Sequence, residues 1–221
     1  MVQKTRRPRT AVLASGGGTN LQALIDAAQD TDFPTEICLV LSNNPGAYCL
    51  QRAAKAGIPG AVVNHRDYPD RPAFEAAIQA VLQEYHCDYV CLAGFLRILT
   101  ADFVEHWRDR MLNVHPSLLP DFKGLHTHSR ALQAGHSIHG CTVHLVRVEL
   151  DDGPLILQAE VPILPDDTEE TLQQRVLTRE HLIYPQALAL VTSGRVQVEG
   201  TQAIIDGQPG PLRLTWDALE K

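Results

Sequence analysis

Several features that would indicate a membrane protein, a secreted protein or a nucleic-acid-binding protein are missing from this sequence. Basic residues are in the minority, because 19 Lys and Arg residues stand against 26 Asp and Glu residues and the formal net charge is −7. General attraction to nucleic acid or to an anionic membrane is therefore not expected, and an anionic ligand would need a local site. The apolar run that follows the basic start covers only residues 11–14, which is too short for a signal peptide or a membrane span.

Cysteine is scarce and poorly spaced for cross-linking or metal binding. The five cysteines are an odd number and include no CxxC pair. Buried free thiols in a reducing compartment are therefore favoured over disulfide bonds or a zinc site. We expect a cytoplasmic protein.

The remaining composition is that of an ordinary globular chain, with 221 residues, 44% hydrophobic and 20% charged. No internal repeat, low-complexity segment or change in composition marks a linker. We expect a flexible basic leader over residues 1–9, a single domain over residues 10–199 with halves 10–110 and 111–199, and a C-terminal tail over residues 200–221.

A glycine loop follows the first apolar run. Residues 10–15 suit a buried parallel strand, Gly16-Gly17-Gly18-Thr19-Asn20 comes next, and an amphipathic helical pattern begins at Leu21. Strand, glycine loop and helix start together make a geometry that binds phosphate through backbone N–H groups. A tight turn without a ligand is the alternative. Two specific phosphate-binding motifs fit less well, because Leu21 stands at the third glycine of GxGxxG and no Walker A Lys-Ser/Thr follows.

Strand and helix patterns alternate through the first half of the chain. Further apolar segments at residues 36–41, 61–63, 88–93 and 111–115 are separated by helical patterns. This alternation predicts an α/β fold with a doubly wound, mostly parallel, Rossmann-like sheet.

Ligands bind such sheets outside the carboxyl ends of the strands. The loops 16–20, 94–99 and 113–120 follow predicted strands, so all three are expected at that edge.

The pattern changes after Pro120. Residues 141–149 alternate in polarity, residues 151–154 read as a turn, and residues 155–161 return as a strand. We therefore expect an antiparallel extension in the C-terminal half. A long helix should begin at the Thr168 cap and be kinked or divided at Pro185.

Asn113, His115 and Asp151 form the candidate catalytic set. Alternate residues of a strand share a face, so the Asn113 amide and the His115 imidazole could donate to one oxygen. An imidazole, with an unperturbed pKa of about 6.5, also exchanges protons near neutral pH, and a nearby carboxylate favours its charged form. The set suits attack of an amine on a carbonyl; the alternative is that these side chains only satisfy backbone groups.

Other reactive side chains are weaker candidates. Ser117 has no GxSxG context, so direct transfer between two bound substrates is preferred to a covalent intermediate. The spacing of the histidines after residue 125 matches no familiar metal motif. Solvated or loop-stabilising histidines are the preferred interpretation, although His126 could help to bind a substrate: His126, His128, His136, His139 and His144.

Three stretches carry a resemblance to a known family: residues 14–21, 93–99 and Asn113-Val114-His115-Pro116-Ser117-Leu118-Leu119-Pro120. They closely resemble the phosphoribosylglycinamide formyltransferases, which are folate-dependent enzymes of purine synthesis. The likeness covers about residues 10–195, and the Asn-x-His-Pro-Ser-Leu-Leu-Pro motif alone is shared by the wider family of formyl transferases and hydrolases that use 10-formyltetrahydrofolate.

The resemblance implies two substrate sites and a catalytic set. Residues 10–110 would mainly hold the phosphoribosyl substrate, through Gly16, Gly17, Gly18, Thr19, Asn20 and Leu21, with Glu180 from the other half. Folate would contact Arg71, Leu96, Arg97, Ile98, Leu99, Asn113, Arg147, Val148, Glu149, Leu150 and Asp151. His115, Asn113 and Asp151 would be catalytic, and His126 would belong to a mobile loop.

The reaction implied is formyl transfer from 10-formyltetrahydrofolate, as co-substrate, to the amine of 5-phosphoribosylglycinamide, without a metal. The partners implied are these two small molecules, with no nucleic acid or membrane, in a monomer or a homodimer. A methionyl-tRNA formyltransferase or a 10-formyltetrahydrofolate hydrolase would be expected to carry an added domain. A non-catalytic phosphate-binding module is a further alternative.

Overall fold

The computed structural model describes residues 6–217. Residues 1–5 of the predicted leader lie outside this range, whereas Arg6 forms an ion pair with Asp88, and Arg7 donates to the carbonyl of Phe33. The chain divides into two compact units, Met1–Phe103 and Val104–Lys221, and the division falls within helix α4 (Ala101–His106).

The first unit contains a parallel sheet with strand order β4-β1-β2-β3. Strands β1, β2 and β3 are neighbours in chain order, and β4 then lies on the other side of β1. Because such crossovers are right-handed, this reversal puts the connecting helices on opposite faces of the sheet, as doubly wound folds require. The elements are β1 (Arg9–Leu13), α1 (Thr19–Ala28), β2 (Glu36–Ser42), α2 (Tyr48–Lys55), β3 (Gly60–Val62), α3 (Arg71–Glu84) and β4 (Tyr89–Leu92).

The second unit contains strands in the order β11-β7-β6-β5 and a small antiparallel sheet, β10-β9-β8. Strand β6 is antiparallel to both β5 and β7, and β11 is parallel to β7. The elements are β5 (Met111–His115), α5 (Thr127–Gln133), β6 (Ile138–Leu145), β7 (Leu155–Pro162), α6 (Glu169–Thr192), β8 (Val196–Glu199), β9 (Gln202–Ile205), β10 (Gln208–Pro209) and β11 (Leu212–Leu214). The predicted α/β class, with an antiparallel extension in the C-terminal half, is confirmed.

Two predicted helix starts are confirmed by their caps. The Asp70 carboxylate accepts from the Ala73 N–H at 2.9 Å, and Thr168 forms a capping box with Thr171. Pro185 was expected to kink or divide the last helix; a division is ruled out, because α6 runs through Pro185 as one helix of 24 residues. Pro185 is buried there, so packing around the helix outweighs the loss of one backbone hydrogen bond.

The predicted strand over residues 141–149 is displaced in the structure. Strand β6 begins at Ile138 and ends at Leu145. Residue 146 lies beyond the end of the strand, although its N–H still donates to the Met111 carbonyl at 2.8 Å, and the turn that carries Asp151 follows. None of the helices within residues 6–217 is long and apolar enough to cross a membrane.

Candidate active site

Helix α2 shapes the glycine loop between β1 and α1. The Cys49 N–H donates to the Gly16 carbonyl at 3.0 Å, and Arg52 Nε donates to the Gly17 carbonyl at 2.8 Å. The Gly18 carbonyl accepts from Gln22 N–H at 3.0 Å, inside α1. In a trans peptide the N–H of the next residue points away from the carbonyl. The loop N–H groups therefore face away from these partners, as an anion-binding loop requires.

Gly18 must be a glycine. Its φ is +71°, and a Cβ atom at this position would lie 2.8 Å from Cys49 Cβ. Gly18 is also the N-cap of α1, and among the described residues no side chain caps that helix. The first turn of α1, which starts at Thr19, thus presents backbone donors and a partial positive charge to a ligand.

Ser15 joins the glycine loop to the loop after β4. Its N–H donates to the Gly94 carbonyl at 3.0 Å, and its hydroxyl accepts from Leu96 N–H at 2.9 Å. The same hydroxyl donates to Asn43 Oδ1 at 2.6 Å. Three loops of the first unit therefore meet at the carboxyl ends of its strands, as predicted for residues 16–20 and 94–99.

The segment over residues 96–99 presents an apolar surface. Leu96 and Ile98 are exposed by 75% and 71%, which is unusual for side chains of this type. Arg97 between them is exposed, and Arg71, at the start of α3, is also exposed. Such a surface suits an aromatic or apolar ligand rather than the phosphate end of a nucleotide.

In the second unit, Asn113 lies directly opposite His144 in the pairing of β5 with β6. Asn113 Nδ2 is 3.2 Å from His144 Nε2, and His144 Nδ1 is 3.1 Å from the Leu145 carbonyl. Since a carbonyl only accepts, Nδ1 carries the proton of a neutral ring and Nε2 accepts from the amide. Burial lowers the pKa of His144 to about 4, consistent with this neutral form. His144 therefore fixes the orientation of the Asn113 amide.

Both ring nitrogens of His115 face acceptors. Nε2 is 3.0 Å from the Phe122 carbonyl oxygen, and Nδ1 is 3.5 Å from Asp151 Oδ2. The side chains of His115 and Asp151 are 7% and 8% exposed, so water screens this pair little. The His115 ring is therefore held between a backbone carbonyl and a carboxylate.

A tight turn holds Asp151. Its φ is +51°, in the left-handed region, and its Oδ2 accepts from Gly124 N–H at 2.8 Å. Two residues later, a Cβ atom on Gly153 would lie 1.7 Å from the Leu145 carbonyl oxygen. The turn can pack against β6 only because residue 153 is glycine, and this packing places the Asp151 carboxylate beside His115.

The loop after His115 is held by internal hydrogen bonds. Ser117 is fully buried and donates to the Asp121 carbonyl at 2.6 Å, which agrees with its rejection as a nucleophile. Gln158 Nε2 donates to the Leu119 carbonyl at 2.8 Å, and Thr142 Oγ1 donates to the Ser117 carbonyl at 2.7 Å. Strands β6 and β7 thereby fix the loop that carries the Phe122 carbonyl.

Of the two expectations for the histidines, solvated or loop-stabilising, solvation is wrong for His128, His139 and His144, which are all buried. The rings of His128 and His139 are 5.2 Å apart, and the ring of Phe122 packs on His139. Burial lowers the pKa of His139 to about 4 and also lowers that of His128. Within residues 6–217, no group of three or more His, Cys, Asp or Glu side chains could hold a metal ion.

The other residues expected at the site have varied surroundings. Arg147 pairs with Asp109 and donates to the Val146 carbonyl, while Val148 and Leu150 are exposed by 47% and 64%. Glu180 is buried in α6. Arg52 and His144 are contacts of the site that sequence reasoning did not identify.

The chain was compared with known proteins. The family model described as "Formyl transferase" matches residues 8–188. A phosphoribosylglycinamide formyltransferase of Escherichia coli (strain K12) is 44% identical over 200 residues, which cover 90% of this chain and 94% of that protein. A solved structure of a phosphoribosylglycinamide formyltransferase from Coxiella burnetii has a TM-score of 0.89 and 44% identity, and the match covers 95% of this chain and 100% of that chain.

A longer relative is also similar. The trifunctional purine biosynthetic protein adenosine-3 of Drosophila pseudoobscura pseudoobscura is 51% identical over 193 residues, or 86% of this chain. The match spans only 14% of that protein's length. The likeness therefore concerns one part of the longer protein.

Proposed function

The chain belongs to the formyl transferase family, and from this premise we propose that it transfers the formyl group of 10-formyltetrahydrofolate to the amine of 5-phosphoribosylglycinamide. The products are the formylated ribonucleotide and tetrahydrofolate, in de novo purine synthesis. The observation that carries this proposal is the contact of Asp151 with His115, whose strand also carries Asn113. The likeness to the Escherichia coli enzyme over nearly its whole length supports the choice of substrates.

The glycine loop is the proposed site for the substrate phosphate. The carbonyls of the three loop glycines, Gly16, Gly17 and Gly18, accept hydrogen bonds on the side opposite to the proposed phosphate. Their neighbouring N–H groups, with those of the first turn of α1, would hold the phosphate oxygens. Thr19, Asn20 and Leu21 begin that turn, and the buried carboxylate of Glu180 is a further proposed contact of the ribonucleotide.

The folate is proposed to bind through apolar surface and backbone groups. Leu96 and Ile98 offer exposed side chains in the first unit, and Val148 and Leu150 do so in the second. Arg71 is exposed and suits the carboxylates of the folate tail. The remaining proposed folate contacts are Arg97, Leu99, Asn113, Arg147, Glu149 and Asp151.

His115 and Asn113 are proposed to stabilise the oxyanion that forms when the amine attacks the formyl carbon. The His115 Nε2–H donates to the Phe122 carbonyl in this structure. Catalysis from Nε2 therefore requires the formyl oxygen to replace this carbonyl as its acceptor. The Asn113 amide, held by His144, would supply the second donor.

Asp151 is proposed to have two effects on proton transfer. Its carboxylate stabilises the imidazolium of His115 across 3.5 Å. It also accepts the proton of the attacking amine, directly or through water, and N10 of the folate is protonated as tetrahydrofolate leaves.

The five cysteines of the chain are free thiols, which supports the cytoplasm as the proposed compartment.

The test is to mix the purified protein with 10-formyltetrahydrofolate and 5-phosphoribosylglycinamide and to follow tetrahydrofolate formation. We expect turnover only when both substrates are present. Turnover without the ribonucleotide would identify a hydrolase, and no turnover with both would refute the proposal. The His115→Ala variant should retain ribonucleotide binding but lose turnover, whereas a non-catalytic phosphate-binding module would show no turnover in either form.

A further inference from the structure

Two thiols of the first unit lie in contact with each other, at the end of the sheet away from the glycine loop. Cys38 is in β2, and Cys87 comes just before β4. Their Sγ atoms are 3.6 Å apart although the residues are 49 positions apart in the chain. The strands that carry or follow them lie on either side of β1.

An irregularity in β2 places the Cys38 side chain. Thr10 of β1 pairs with Ile37 and Ala11 pairs with Leu39, so Cys38 has no register partner on β1. Such a bulge redirects a side chain out of the regular alternation of the strand. Cys38 Sγ thereby lies 3.5 Å from the Thr10 carbonyl and in contact with Cys87.

The surroundings of the pair lower the pKa of the Cys38 thiol. The hydrogen bond from the Cys87 thiol lowers the pKa of Cys38, and the charge of Arg9 lowers it further against the effect of burial. The same hydrogen bond raises the pKa of Cys87. Arg9 is held in place, since its Nε donates to the Tyr85 carbonyl at 3.0 Å and its guanidinium pairs with Glu36.

Other thiols lack this combination. Cys49 and Cys141 are fully buried, and burial raises the pKa of both. Cys38 is also buried, at 6% exposed, but its neighbour Cys87 is only half-buried, and a small oxidant would approach the pair from the side of Cys87. A thiol with a lowered pKa, a second thiol in contact with it and a partly exposed neighbour occur together at Cys38 and Cys87.

We propose that Cys38 and Cys87 form a reversible oxidation site, which a hydroperoxide converts into an intramolecular disulfide. The Cys38 thiolate attacks one peroxide oxygen, the O–O bond breaks, and Cys38 becomes a sulfenic acid as hydroxide leaves. The Cys87 sulfur then attacks the Cys38 sulfur, forms the S–S bond and releases water. The two thiols lose two electrons and two protons in total, hydrogen peroxide is reduced to two waters, and a thiol reductant reverses the reaction.

The disulfide would cross-link β2 to the start of β4 without touching the glycine loop. We therefore expect oxidation to raise the thermal midpoint of unfolding while formyl transfer is retained. The disulfide would close the long loop between Cys38 and Cys87. Because this cross-link restricts the unfolded chain, we expect a large rise in the thermal midpoint.

The test is to treat the full chain with hydrogen peroxide under native conditions and to measure intact mass, free thiols and cross-linked peptides. We expect the loss of two hydrogens and of two of the five titratable thiols, a peptide that joins Cys38 to Cys87, and full reversal by dithiothreitol. Cys87→Ser should stop at a sulfenic acid on Cys38 that dimedone captures, and the buried-site control Cys49→Ser should still form the disulfide. An unchanged thiol count, a cross-link between other cysteines, or over-oxidation of a single cysteine in the wild type would overturn the proposal.

Discussion

At the scale of single residues, the site depends on one carboxylate held in an unfavourable backbone conformation. Asp151 has a φ of +51° and receives the Gly124 N–H on Oδ2, the oxygen that also faces His115. Its other oxygen is 3.8 Å from His144 Nε2. A left-handed conformation at a residue other than glycine costs about 1 kcal/mol or more. The turn places the Asp151 carboxylate 3.5 Å from the His115 ring, and the Gly124 N–H bond helps to hold it there.

We predict that Asp151→Asn lowers kcat by roughly 10²- to 10⁴-fold and changes folate affinity little. The amide has a similar shape, but it neither balances an imidazolium nor accepts a proton. Single-turnover rates and equilibrium binding of the folate measure the two effects separately. The matched control is Asp152→Asn, since Asp152 is an exposed neighbour paired with Lys123. Equal losses in the two variants would contradict the role given to Asp151.

Gly153→Ala should destabilise the fold by on the order of 3 kcal/mol and abolish turnover. The added Cβ would overlap the Leu145 carbonyl oxygen, so the turn that carries Asp151 must move away from β6. Chemical denaturation measures the change in the free energy of unfolding. Gly46→Ala, where the nearest atom to a Cβ is 3.7 Å away, should change it by less than about 1 kcal/mol.

The sequence allowed Asn113, His115 and Asp151 to be proposed together, but it did not identify His144. Spacing along one strand shows which side chains share a face, and that is enough for the first pair. His144 becomes visible only through the antiparallel register that pairs it with Asn113. Register depends on where the intervening loop ends, and no local signal in residues 116–137 determines it.

At the scale of elements, α2 acts on the glycine loop through one side chain. Arg52 donates from Nε to the Gly17 carbonyl and from Nη1 to Gln22 Oε1 at 3.1 Å, so it joins the loop to α1. The loop was predicted from its glycines. The contribution of α2 was not, because a helix of this length shows only which residues face inward, and Arg52 reaches the loop along its surface.

We predict that Arg52→Ala raises KM for the ribonucleotide roughly tenfold and leaves kcat within about twofold. Without the guanidinium, the Gly17 carbonyl is free to rotate and the loop N–H groups lose their common direction. Arg52→Lys should recover little, because an ammonium cannot bond both partners in the same geometry. Steady-state kinetics measure this effect. Lys55→Ala on the same helix is the control, because it removes a charge that contacts Tyr48. A similar rise in KM in this variant would contradict the role given to Arg52.

Element positions were predicted best where composition and boundary signals agree. Strand β5 has the predicted limits, residues 111–115, because charged and loop-forming residues precede it and Pro116 follows it. Helix α6 shows the opposite case, since Pro185 is a strong local signal that its buried surroundings override. Strand β6 ends earlier than predicted, because residues 146–149 continue the alternation of apolar and polar residues beyond the end of the strand.

At the scale of the whole molecule, buried neutral histidines make the stability depend on pH. Burial lowers the pKa of both His139 and His144 to about 4, from about 6.5 in an unfolded chain. Between these values the unfolded state binds protons that the folded state does not, so stability falls as pH falls. Above pH 6.5 both states are neutral and the effect disappears.

We predict that the free energy of unfolding falls by about 2 kcal/mol per ring between pH 7 and pH 5. Denaturation midpoints across this range measure the slope. His139→Leu should remove the contribution of one ring to the change of the free energy of unfolding with pH, whatever its effect on stability at pH 7. His86→Asn changes an exposed histidine with φ near +50° and should leave the slope unchanged. A slope that is the same in His139→Leu and in the wild type would contradict this account.

The overall class was predictable because alternation of strands and helices, followed by a hairpin pattern, needs no tertiary information. The contacts that make the site in the second unit chemically specific were not predictable from the sequence, because they depend on backbone groups. The Phe122 carbonyl on His115 and the Gly124 N–H on Asp151 belong to a loop whose sequence shows only where it turns. Backbone donors carry no side-chain signature, so only the folded chain reveals them.

Direct passage of the formyl group from the folate to the amine of the ribonucleotide is the step on which the proposed function depends. The most direct measurement uses 10-formyltetrahydrofolate with an isotopically labelled formyl carbon and follows the label by NMR during turnover with 5-phosphoribosylglycinamide. We predict that all of the released label appears as a formamide on the glycine nitrogen of the ribonucleotide, in step with tetrahydrofolate formation. Label recovered as free formate, or label that stays on the folate, would contradict the account.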